Sequence, residues 1–127
     1  MFDLLFWLYM VNAVLLITHE IDSAYWKEWE LFKLRGGVAG FLLLHLPLVF
    51  LVMWGSILVF QQSFAGLIMS LILSLAGIFA FIIHTIFIRK GRIEFNVPIS
   101  LFLLIATLFI SLVQVTCTIY LISGVAK

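Results

Sequence analysis

The chain has 127 residues, of which 65% are hydrophobic and 10% charged, with a mean hydropathy of +1.30. Soluble domains carry roughly a quarter charged residues, so this composition excludes a water-soluble fold, and residues 36–88 contain no Asp, Glu, Lys or Arg at all. A net charge of +1 supplies no electrostatic footprint for nucleic acid, and the single Cys117 excludes an internal disulfide or a cysteine-based zinc motif.

The expected fold class is all-α, a polytopic four-transmembrane-helix bundle forming one domain over 1–127. The first span is expected at 4–23. Only sixteen residues lie between Asp3 and Glu20, about 24 Å of helix, which sets His19, Glu20 and Asp22 at or just inside the membrane boundary. The acidic start and the lack of a small-x-small site read as a span rather than a cleaved leader. The charge-free segment accommodates two helices, 37–60 and 64–88, with a hairpin at Gln61-Gln62-Ser63. Arg89-Lys90-Gly91-Arg92 ends the third span, and Pro98 opens a fourth at 97–123.

Lys27, Lys33, Arg35, Arg89, Lys90 and Arg92 fall in the loops 24–36 and 89–96, against Lys127 alone on the other face. The positive-inside rule therefore predicts a multi-pass protein of the cell (inner) membrane, with both charged loops cytoplasmic and both termini outside. Trp26 and Trp29 lie where an aromatic interface belt is expected.

Polar side chains in a bilayer usually face the bundle interior. Asn12, His19, Ser23, Trp26 and Glu30 share one arc of the first helix, and His45 and Ser56 one line of the second. Ser63, Ser70, Gly77 and His84 repeat by seven on the third. Ser100, Thr107, Ser111, Gln114 and Thr118 form a stripe on the fourth. For the serines, threonines and glycines the simplest reading is close helix packing. Pro47 removes one backbone hydrogen bond within the second span and frees the Leu43 carbonyl.

All three histidines fall in the same half of the bundle. His45 and His84 lie about 12 Å and 8 Å below the basic loops. Three imidazoles and a carboxylate suit a divalent transition metal, zinc or iron above all, so His19, Asp22, His45 and His84 are the candidate ligands. His19 and Asp22, three apart, share a helix face, whereas Glu20 points about 100° away and suits acid–base catalysis on a metal-bound water. Ser23, Glu28 and Glu30 are close enough to orient or screen those donors. A haem clamped by His45 and His84 is disfavoured by the depth difference of about 4 Å. His19-Glu20-x-x-Ser23 lacks the second histidine of a zinc-protease helix, and neither a glycine-rich phosphate loop nor a nucleophile elbow is present.

The run His19-Glu20-Ile21-Asp22-Ser23-Ala24-Tyr25-Trp26-Lys27-Glu28-Trp29-Glu30, with Leu43-Leu44-His45-Leu46-Pro47, resembles a family of small uncharacterised bacterial four-helix integral membrane proteins with the pattern H-E-x-D-x-A-Y-W-x-E-W. More distantly it is similar to the H-x-x-E-E membrane proteins, from which it departs by having Asp22 and Ser23 where that motif has two glutamates. The resemblance implies a bacterial cytoplasmic membrane and a role for the His19–Glu30 segment, but no activity. Three functions follow as expectations: a metal site, possibly enzymatic; an accessory or scaffold subunit of a larger membrane complex, or a homo-oligomer; and proton or ion conduction. Lipid is the expected surroundings and nucleic acid is not an expected partner.

Overall fold

The computed structural model describes residues 1–93 and 95–125. Its helices are α1 (Phe2–Tyr25), α2 (Glu28–Leu31), α3 (Gly37–Phe60), α4 (Phe64–Arg89) and α5 (Pro98–Val125), with no strand among the described residues. The four long helices are long and apolar enough to cross a membrane, and the fold is an all-α four-helix bundle. Lys127, the lone cation expected on the terminal face, lies outside the described residues.

The helix ends follow from local chemistry. Ser63 caps α4 by accepting from Gly66 N at 3.0 Å while donating to Leu58 O at 2.9 Å, which closes the hairpin after α3. Gly91 at φ 86° ends α4, with Gly91 N on Ile88 O (3.0 Å) and Arg92 N on Phe87 O (3.1 Å). These two bonds satisfy the last carbonyls, and the backbone angle suits glycine. Pro98 is the first residue of α5, where its missing N–H costs nothing. Lys27 takes a left-handed conformation after Tyr25 (φ 52°, ψ 52°) and breaks α1.

That break corrects one expectation. The arc on α1 does not continue to Glu30, because the chain turns at Lys27 and restarts as α2. Glu28 becomes the buried acid of this segment and Glu30 is exposed.

The bundle is a ring in the order α1, α3, α4, α5, with α1 and α4 also touching across it; α3 and α5 do not meet among the described residues. Leu5, Tyr9, Ala13, Leu16, Val59, Leu67, Leu73, Ala80 and Cys117 form the apolar core. Every polar residue of the α5 stripe is buried, as are Asn12, His19 and Ser23 on α1 and Ser70, Ser74 and His84 on α4. Ser56 departs from the expected inward face. It is only partly buried, and its hydroxyl satisfies itself on Met53 O at 2.6 Å. Pro47 faces outward within α3.

In mid-bundle the small residues let backbones and amides meet. Asn12 Nδ2 donates to Ser111 Oγ (3.0 Å) and to Gln114 Oε1 (2.8 Å). Gln114 Nε2 donates to Ser70 O and Oγ (3.0 and 2.9 Å), and Ser70 Oγ and Thr118 Oγ1 are 2.8 Å apart. One network of side chains thereby ties α1, α4 and α5, which in a medium without water is the means of satisfying buried amides.

Candidate functional site

The three histidines lie toward the basic-loop end, and two of them pair with carboxylates. His45 on α3 makes the first. Its Nδ1 is 2.7 Å from the carbonyl of Phe41, four residues back, and its Nε2 is 2.7 Å from Glu20 Oε2 on α1. A carbonyl can only accept, so Nδ1 carries hydrogen. A carboxylate also only accepts, so a further proton lies between Nε2 and Glu20. Phe41 stacks on the imidazole with centroids 3.9 Å apart and fixes the ring plane.

His84 on α4 repeats the arrangement. Its Nδ1 is 2.7 Å from Ala80 O, again four residues back, and its Nε2 is 3.3 Å from Glu28 Oε1 on α2. This second approach is an ion-pair distance without hydrogen-bond alignment. Burial pushes the Glu28 carboxyl up, but the His84 imidazole, the facing Ser23 hydroxyl and the nearby His19 outweigh it and hold the group below the ordinary value of 4.5.

His19 joins the second pair. Its ring meets His84 edge-on with centroids 4.5 Å apart, and Phe95, from the α4–α5 connection, packs against both at 6.1 and 4.3 Å. His19 Nδ1, Asp22 Oδ2 and Ser100 Oγ at this end, and Thr107 Oγ1 beside Gly77 nearer mid-bundle, are buried without a hydrogen-bond partner, a costly condition. Asp22 Oδ1 accepts from Trp26 Nε1 at 3.1 Å, so one oxygen of that carboxylate is already used.

The candidate residues therefore divide. His19 and His84 come together with Glu28, and Ser23 is buried beside them. His45 goes with Glu20 instead. Glu30 stays at the surface. Among the described residues, no three His, Cys, Asp or Glu side chains are gathered closely enough to hold a metal ion. Sequence reasoning missed Phe41 and Phe95. Phe41 had a signal, its four-residue spacing to His45, while Phe95 had only the oddity of an aromatic ring in a polar connection.

A family model described as a family of unknown function, DUF6713, matches residues 5–121. The chain belongs to DUF6713. Comparisons with curated proteins and with solved structures give no match. The DUF6713 match takes in α3 and α4 whole, most of α1 and α5, and both histidine–carboxylate pairs.

Between α1, α3 and α4 a cavity of about 260 Å³ has Glu20 and His45 among otherwise mostly apolar walls. Tyr9 also lines it, but its hydroxyl is spent on Val52 O at 2.8 Å.

Proposed function

We propose that this protein is a proton-holding module of the bacterial cytoplasmic membrane, exchanging protons with the cytoplasm through paired histidines and carboxylates. The observation that carries the reading is the Glu20–His45 contact of 2.7 Å, with the other ring nitrogen committed to Phe41 O. One proton lies between a nitrogen and an oxygen that can each bind it, the condition for passing one on. Glu28, at the loop, is the entry, and His84 and His19 are the next acceptors. The six cations of the two charged loops support a cytoplasmic position for this end. The mid-bundle network of Asn12, Gln114, Ser70 and Thr118 consists of amides and hydroxyls bonded directly to one another, with no titratable group. Exchange is thus one-sided rather than a route across the membrane, which suits a subunit that serves a larger complex.

The test is histidine ¹⁵N NMR of the full chain in nanodiscs across pH, beside proton-flux measurement in proteoliposomes. The reading expects the His45 titration to move on Glu20→Gln, the His84 titration to move on Glu28→Gln, and no sustained flux. Histidines that titrate independently of both carboxylates, or a steady transmembrane current, overturn it.

A second reading retains the transition metal, zinc or iron. It is favoured by His19 Nδ1 and Asp22 Oδ2, both buried, unpartnered and three residues apart. Binding would draw the His19 and His84 rings out of their edge-to-face contact, with Glu20 left as the acid–base group. Elemental analysis of purified protein expects one metal per chain, lost in His19→Ala and His84→Ala. Metal-free protein with intact histidine titration decides for the proton reading.

A further inference from the structure

We propose that the cavity between α1, α3 and α4 binds a lipophilic molecule with a small uncharged hydroxyl head, the head on the Glu20–His45 pair and the apolar body along the groove. The inference rests on the shared proton of that pair. Ile17, Leu48, Val49, Ile72 and Ala76 supply aliphatic walls. Glu20 and Tyr9, which both line the cavity, are eleven residues apart on α1, about 16 Å along the helix. At the Tyr9 end the hydroxyl gives its only proton to Val52 O and keeps just a neutral acceptor. The stronger, charge-assisted acceptor lies at the other end.

Depth and charge select the head. Glu20 lies five residues before the end of α1 and His45 eight residues after the start of α3. That is about 8 Å and 12 Å below the loops, within hydrocarbon rather than among lipid phosphates. A charged head would be stranded there without water to solvate it. The pair, sharing one proton, carries no net charge to offset it. A carboxyl group has about four acceptor sites and the histidine bond occupies one, so a hydroxyl donor can still be received. Both side chains are partly accessible, at 18% for His45 and 33% for Glu20. Lipid-soluble alcohols and alkyl hydroquinones share this chemistry.

The test is native mass spectrometry of the full chain released from detergent, with farnesol and decylhydroquinone as probes and their methyl ethers as controls. One equivalent is expected per chain, with at least tenfold weaker retention of the ethers, and the stronger of the two probes identifies the source. Ala76→Phe and Val49→Trp, which fill the groove, are expected to abolish retention while the His45 NMR titration still moves on Glu20→Gln. Equal binding of alcohols and ethers, meaning acyl-chain filling only, overturns the inference, as does undiminished binding in both filled variants. In those cases an intact, Glu20-dependent His45 titration leaves the proton reading standing. Loss of that dependence removes the proton reading whatever the probes do.

Discussion

Glu28 owes its position to a single backbone angle. Had α1 run on as a helix, Glu30 would share the arc of His19 and Ser23, but the left-handed Lys27 turns the chain and brings Glu28 to His84 instead. A non-glycine residue in that region costs of order 1 kcal/mol, which the contacts of α2 must offset. Because the Glu28 carboxyl is held below its ordinary value, its contribution is fully present above the unfolded value near 4.5 and is lost as pH falls through the lower folded value. Acidification below about pH 4.5 is therefore expected to loosen α2. Trp29, whose ring lies 5.5 Å from Phe41, reports this as a fluorescence change that Glu28→Gln shows already at neutral pH. A pH-independent Trp29 signal in the parent chain would contradict the assignment.

Between elements, Gly77 of α4 lies hard against α5. A methyl group there would run into Ser111 Oγ, which bonds Asn12, and press the Thr107 methyl. Gly77→Ala is expected to destabilise the α4–α5 seam by about 1–3 kcal/mol. Gly124→Ala, in open space on the same seam partner, should be close to neutral. Denaturation in mixed micelles checks both. Gln114 joins α1 to α4 through Asn12 and Ser70. Gln114→Leu is expected to cost about 1–2 kcal/mol, and a double-mutant cycle with Asn12→Leu should return a coupling of about 0.6 kcal/mol or more. Additive losses would mean that the amides are satisfied separately.

For the whole molecule, α3 is the least buried span, with only Phe41, Gly55 and Val59 enclosed. It is held by α1, α4 and the short α2, and does not meet α5 among the described residues. It carries His45 and one wall of the cavity, so the helix with the fewest contacts is the one that completes the Glu20 pair. Topology is testable at this scale. In a Cys117→Ala background, a cysteine at Gln62 is expected to react with an impermeant maleimide in intact cells, and one at Lys90 only after permeabilisation. The reverse pattern would put Glu28 on the outer face, against the proposed exchange with the cytoplasm.

The apolar segments were legible from composition because a bilayer demands about twenty apolar residues per crossing, and each long helix begins and ends within two residues of its segment. The seven-residue repeat on α4 and the stripe on α5 were legible too, since helical periodicity alone decides which side chains share a face. Partnership was not. Periodicity sets the direction of a side chain on its own helix, but which neighbour it meets depends on how the four helices are arranged around one another. Only the tertiary structure paired His45 with Glu20 across α1 and α3, joined His84 to Glu28 through a turn no spacing rule announces, and set Phe95 over His19.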